Sequence, residues 1–128
     1  NLDINSSVQE ILQLVNRERA KYGLPALTLD SSLCQIANER ANELMNEQDN
    51  TNDISHDGFD KYKPTILSTY RVCGENIGAG YNNATLVMKA WLDSNGHREN
   101  ILSSDYTSIG IGIAKEKYMY YFVQDFAG

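Results

Sequence analysis

The sequence has no apolar stretch approaching the 18 residues of a membrane-spanning helix, so it is not expected to cross a membrane. It has no basic run. Its eleven Lys and Arg are scattered against seventeen Asp and Glu, for a formal charge of −6. Phosphate contacts need clustered Lys and Arg, which argues against nucleic-acid and anionic-membrane binding. It has two cysteines, Cys34 and Cys73, and no CxxC pair on which to build a thiolate zinc site. One disulfide or two packed thiols remain, and thiols are favoured because free Cys packs as a small hydrophobe. The two histidines, His56 and His97, are too far apart for a local metal motif such as HExxH, and Gly74–Gly80 lacks the Lys and the strand–helix context of a phosphate loop. Ser55, Ser68, Ser94 and Ser103 stand in no nucleophile-elbow context. A thiol hydrolase needs its Cys within reach of a base; Cys73 is near Glu75 in sequence but is expected to be buried. No repeat, low-complexity tail or linker is visible. The chain opens at Asn1 rather than Met with no visible signal peptide, which reads as a trimmed or mature fragment whose original address is hidden.

What is present suits one domain over 1–128. A chain of this mass should fold to roughly 7,000 Å² of surface from about 21,000 Å² extended, enough burial for a core without staples. The apolar fraction of 41 % and charged fraction of 22 % are those of an ordinary globular protein.

Ser7-Val8-Gln9-Glu10 reads as a capping box opening a helix over about 8–22, with Val8, Ile11, Leu12, Val15 and Arg19 at helical spacing. Gly23 stops it in a left-handed cap, and 24–27 is extended around Pro25. Asp30 caps a second helix over about 31–46. Its apolar stripe is Leu33, Ile36, Ala37, Ala41, Leu44 and Met45, while Asn38, Glu39, Arg40, Asn42 and Glu43 are assigned to a solvated face. The Asn/Asp-rich stretch 47–57 reads as a loop carrying His56. An irregular section anchored by Phe59, Tyr62, Ile66, Leu67 and Tyr70 follows, then an extended segment over 72–79. Asn83 caps a third helix in which Leu86, Val87, Ala90 and Trp91 share a face; Asn95-Gly96 ends it, and 97–102 can make a short further helix. Ile109-Gly110-Ile111-Gly112-Ile113 alternates with period two, so one face is apolar and the other has no side chain, as close approach by another helix or backbone would require. Lys115-Glu116-Lys117 is a turn into a second strand over 118–126, completing a hairpin. Helices first and a hairpin last define an α+β fold, with helices packed on an antiparallel sheet.

The stretch 91–102, WLDSNGHRENIL, holds the only Trp and one of the two His. With Ser55-His56 and Gly74-Glu75-Asn76-Ile77 upstream, it suggests that two histidines and a glutamate converge on one polar cleft. A carboxylate at Glu75, inside an extended segment, must be paired or hydrogen-bonded or its pKa rises. The plainer account is a carboxylate that holds backbone N–H groups in place.

Taken together and in order, the motifs resemble the CAP superfamily: cysteine-rich secretory proteins, antigen 5 and plant pathogenesis-related 1 proteins, in their compact bacterial form. They are Leu14-Val15-Asn16-x-x-Arg19, Gly23-Leu24-x-x-Leu27, the helix from Leu33 to Met45, Ser55-His56 and Gly74-Glu75-Asn76-Ile77. They continue with Trp91-x-x-Ser94-x-Gly96-His97-x-x-Asn100-Ile101-Leu102, Tyr106, Gly110-Ile111-Gly112 and Tyr121-x-Val123-Gln124-x-Phe126. The resemblance implies a three-layer α-β-α sandwich with a central antiparallel sheet and a cleft lined by two His and two acids. By motif match His56, Glu75 and His97 carry over. The second acid of many eukaryotic members falls here on Ser94, with Asp93 beside it but about 100° around the helix. Tyr81, Trp91 and Asn100 rank lower as cleft residues, and Trp91 also reads as core packing from its place on the apolar stripe.

The resemblance further implies a divalent metal, such as zinc, held through His56 and His97, with Glu75 orienting a ligand from behind. It also implies a secreted or cell-surface protein, for which three functions follow. It is a binding module for a protein or peptide whose cleft can hold the metal; or a metal-dependent peptidase with Glu75 as general base; or a lipid carrier, although the eukaryotic sterol-binding loop has no counterpart.

Overall fold

The computed structural model describes residues 2–51, 56–117 and 119–128, without the side chains of 47–51. Ser55, and position 118 at the start of the expected second strand, lie outside the described residues.

Helix α1 spans Ile4–Lys21 and is capped by Asp3, whose carboxylate accepts the Ser6 N–H at 3.2 Å. The expected capping box at Ser7 is not used. Ser7, Ile11, Val15 and Arg19 recur at i, i+4 and are all buried, so Ser7 sits inside the helix on its packed stripe. Gly23, at φ +72, lets the chain leave the helix as expected. A two-residue strand β1, Thr28–Leu29, was not foreseen. It pairs in parallel with the start of the later strand at Ser108 and Ile109.

Helix α2 spans Ser31–Thr51, with Asp30 Oδ1 accepting the Leu33 N–H at 3.0 Å. It runs five residues beyond the expected end, because Glu47-Gln48-Asp49-Asn50-Thr51 is polar but holds no Gly or Pro to stop a helix. A 3-10 turn at Asp57–Lys61 and a short helix α3, Lys63–Leu67, lead into strand β2, Cys73–Ala79. Helix α4, Ala84–Leu92, is capped by Asn83 through the Leu86 N–H at 2.9 Å. It ends at Leu92 rather than at Asn95-Gly96, and those two residues open helix α5, Asn95–Ile101. The buried face of α4 is Ala84, Val87, Met88 and Trp91, while Leu86 is 44 % exposed. Strands β3, Ser108–Glu116, and β4, Met119–Ala127, form the hairpin; β3 continues through the Lys115-Glu116 expected in the turn.

The sheet order is β1-β3-β4-β2, antiparallel apart from the β1 pairing. Period-two alternation divides it. Ile109, Ile111, Ile113, Phe122 and Phe126 pack against Ile11 and Val15 of α1, Val87, Met88 and Trp91 of α4 and Ile101 of α5. On the other face Ile77, Ala114, Tyr121 and Val123 pack against Ala37, Ala41 and Leu44 of α2. Helices therefore cover both faces, the expected three layers. Cys34 and Cys73 are free thiols.

Two long side chains tie the outer layer together. Arg19, fully buried, donates to the carbonyls of Pro25 at 2.9 Å, Ile101 at 3.0 Å and Ser103 at 2.8 Å, which fixes the end of α5 against α1. Asn16 exchanges two hydrogen bonds with the Leu27 backbone.

The glycine face of β3 meets the α2 backbone. A Cβ at Gly110 would collide with the Leu33 carbonyl and the Cys34 nitrogen, and one at Gly112 with the Ala37 carbonyl. Neither clash can be relieved by a side-chain rotation. Gly112→Ala should therefore cost about 3 kcal/mol or more, the top of the range for overpacking. Gly23→Ala has open space and pays only for its φ, on the order of 1 kcal/mol. Urea denaturation of both variants tests the ranking; an equal or smaller loss for Gly112→Ala would contradict it.

Candidate functional site

Strand β2 lies at the edge of the sheet, and its successive residues point to opposite faces. Glu75 points toward α2, and Asn76 toward α4 and α5. The site is built around that edge.

Glu75 is only 6 % exposed. Arg40 of α2 grips its carboxylate bidentately, with Nε to Oε2 at 2.9 Å and Nη2 to Oε1 at 3.0 Å. The third guanidinium nitrogen, Nη1, donates to Glu43 at 3.0 Å. Glu43 in turn accepts from the Tyr62 hydroxyl at 2.6 Å and pairs with Lys61. Burial pushes the Glu75 carboxyl up, but hydrogen bonds from His56 and Arg40 outweigh it and hold the group below the usual carboxylate range. Arg40 is 0 % exposed, so its assignment to a solvated face is wrong. The signal was available: Arg40 stands at i+7 from Leu33, i+3 from Ala37 and i−4 from Leu44, on the packed stripe itself. An arginine in that stripe implies a buried carboxylate opposite it.

His56, just before the 3-10 turn, places Nδ1 2.9 Å from Glu75 Oε1, with 52 % of its side chain exposed. A carboxylate only accepts, so Nδ1 carries the proton and neutral His56 keeps its lone pair on Nε2. His97 of α5 places Nδ1 2.9 Å from the Ser94 hydroxyl. Burial pushes the His97 imidazole below its ordinary value, and the positive form of nearby His56 adds to the shift.

Beneath His97 lies an amide ladder. Asn76 Nδ2 donates to the His97 carbonyl at 3.1 Å and to Gln124 Oε1 at 3.0 Å. Asn100 Nδ2 donates to Asn76 Oδ1 at 2.9 Å and to the Glu75 carbonyl at 3.2 Å. Asn76 and Gln124 were present in the motifs without a role; the ladder supplies one, setting the height of α5 over β2.

The other expected cleft residues divide. Ser94 and Asn100 join the site. Trp91 lies in the core, with its indole N–H donating to the Ile77 carbonyl at 3.0 Å, and so supports β2 from behind. Asp93 is exposed and pairs with Lys89 at 3.1 Å, away from the histidines. It lines a groove of about 600 Å³ between α1 and α4, floored by Leu14, Met88 and Leu92. Tyr81 packs at the edge of the core and lines a neighbouring surface hollow with Leu86 and Lys89. Among the described residues no group of three or more His, Cys, Asp or Glu is arranged to hold a metal ion. As a general base Glu75 is poorly placed: Arg40 and His56 occupy its oxygens, and both favour its ionised form.

An antiparallel hairpin and edge strand between helical layers, with one histidine held by Glu75 of that strand and another on the helix over it, are the features of a CAP-type domain. The model of the cysteine-rich secretory protein family, CAP, matches residues 12–126, and the chain belongs to that family. It is 33 % identical over 111 residues to the uncharacterized protein YkwD of Bacillus subtilis (strain 168), covering 85 % of this chain and 43 % of that protein. An extracellular protein containing a SCP domain from Bacillus anthracis superposes with a TM-score of 0.83 at 26 % identity, covering 97 % of this chain and 41 % of that one. An outer surface protein from Borrelia burgdorferi has the same fold, with a TM-score of 0.80 at 21 % identity over 98 % of this chain and 95 % of that one. The chain spans less than half the length of the curated relatives it matches.

Removing Arg40 leaves Glu75 buried without its main counter-charge. Arg40→Gln should cost about 3–5 kcal/mol near neutral pH. The folded Glu75 pKa is depressed, so its contribution to stability is present above the unfolded value of about 4.3 and is lost as pH falls through the folded value. The gap between variant and wild type should thus narrow in acid. Denaturation curves across pH check this; equal stabilities at neutral pH would show that the pair contributes nothing.

Proposed function

We propose that this CAP domain is an extracellular or cell-surface binding module for a protein or peptide, and that its cleft takes a divalent transition metal, zinc by its chemistry, through Nε2 of His56 and His97. The supporting observation is the anchoring of both rings by Nδ1, His56 to Glu75 and His97 to Ser94, each at 2.9 Å. A histidine ligand whose second nitrogen is hydrogen-bonded is oriented, and the Glu75 carboxylate, which only accepts, also makes His56 more basic. Neutral imidazole suits a borderline ion, and two protein ligands leave coordination positions for water or for a group of the bound partner. Glu75 would act from behind His56, with Arg40 keeping it ionised. A module is favoured over a peptidase because Glu75 is locked by its partners. The extracellular assignment rests on analogy with the Bacillus anthracis and Borrelia proteins.

A lipid-carrier reading draws on the groove between α1 and α4, whose apolar floor is rimmed by Arg17, Lys21 and Lys89. Native mass spectrometry of purified protein tests it. A co-purifying lipid displaced by Leu14→Arg would support it, and an empty protein would count against it.

Zinc titration by calorimetry at about pH 7.5 and about pH 5.5 tests the metal site. Imidazole ligates only as the neutral base, with an ordinary pKa near 6.5. Binding should be clear at the higher pH, weaken markedly at the lower, and vanish in His56→Ala and in His97→Ala. Zinc binding that survives loss of either histidine would place the metal elsewhere; no binding at either pH would end the metal part of the reading.

A further inference from the structure

One buried group near the site takes no part in holding either histidine. Asp125 of β4 is 0 % exposed, and no described group donates a hydrogen bond to either of its carboxyl oxygens. In the sheet register it stands directly opposite Glu75 of β2 on one side and Gly110 of β3 on the other. Gly110 has no side chain and is pressed against the α2 backbone, so Asp125 is roofed over by α2. The titratable and charged groups around it are Glu75 and Cys73 of β2 and Arg40 and Cys34 of α2. Arg40 is committed to Glu75 and Glu43. An ionised Asp125 would therefore be a second buried anion beside Glu75, with no donor of its own, an arrangement that burial makes prohibitive.

We propose that Asp125 is a neutral carboxylic acid in the folded protein and acts as a positioning residue, forming with Glu75 a buried carboxyl pair in which Glu75 alone carries the negative charge. Burial, and then the facing Glu75 carboxylate, both push the Asp125 carboxyl well above its ordinary range. The charge state follows from packing. Arg40 already serves buried Glu75 and the part-exposed Glu43, so a neutral acid can be closed under α2 beside them, whereas another fully buried carboxylate with no donor of its own cannot. Keeping the charge on Glu75 keeps His56 donating from Nδ1. That consequence rests on the cleft reading above, but the protonation of Asp125 does not require that any metal bind.

The pH dependence has a definite sign. The folded pKa of Asp125 is raised above its unfolded value of about 3.9. The stability tied to its proton is therefore complete below the unfolded value and is lost as pH rises toward the folded one. This is opposite to the acid loss expected from Glu75.

Asp125→Asn, close in shape to the neutral acid, is the decisive variant, and it is studied in metal-free protein so that a failure of zinc binding has no bearing on it. The infrared spectrum of wild type near neutral pH should contain the carbonyl stretch of a protonated carboxylic acid that Asp125→Asn lacks. The unfolding midpoint of the variant should gain on wild type as pH is raised. No such band, together with a variant that falls further behind wild type as pH rises, would mean that Asp125 is ionised and would overturn the proposal. Should Asp125→Asn not fold, carbon-13 NMR of side-chain-labelled aspartates in wild type decides the matter. One carboxyl held at the neutral-acid shift near neutral pH supports it, and every aspartate at the ionised shift overturns it.

Discussion

The distance between α2 and the sheet is the constraint on which the rest of this molecule depends. Helices ordinarily rest on strands through side chains, but here Gly110 and Gly112 bring the α2 backbone down onto β3. Only at that separation does Arg40, two turns along the helix from Leu33, reach under α2 to grip Glu75 with two hydrogen bonds. Glu75 then holds His56, which comes from the far end of the same layer. Packing, ion pairing and ring orientation are thus one chain of causes, beginning with two missing side chains.

The second histidine is placed by independent means. His97 hangs from α5, and α5 is set by Arg19 at its C-terminal end and by the Asn76–Asn100 ladder along β2. The two histidines are accordingly held by different parts of the sandwich, one through Glu75 on the α2 side of the edge strand and one on α5. The site therefore reports on the whole sandwich, and its residues come from stretches some forty positions apart.

Much of this was legible in the sequence. The alternating Ile/Gly run announced a helix packed tightly on a strand, the Asn83 and Asp30 caps fall where their side-chain chemistry puts them, and the motif order pointed to the fold. The polar core was harder to read. Arg40 and Asp125 both stand at packed positions by simple periodicity, Arg40 on the Leu33–Ala37–Leu44 stripe and Asp125 in phase with Tyr121 and Val123. Charge alone put Arg40 on the solvated face, and Asp125 drew no reading at all. Buried Arg40 and buried Glu75, in facing elements, explain each other, but one helix or one strand viewed alone cannot show that. The helix ends were misplaced for a related reason: Ser7 has the chemistry of a cap, yet its spacing from Ile11 and Val15 commits it to the core.

The same polar core bears on what the site can do. A hydrolytic carboxylate has to gain and lose a proton during turnover, so it is found where solvation or a neighbour brings its pKa toward neutrality. Glu75 is in the opposite situation. A bidentate guanidinium and an imidazole N–H both stabilise its charged form, and the acid facing it is the member of the pair that burial disfavours ionising. Proton affinity in this cluster is concentrated on fully buried Asp125, while the group that holds His56 is a fixed anion. Such an arrangement is suited to holding a ring in one tautomer and presenting its lone pair, which a binding site requires and a general base does not.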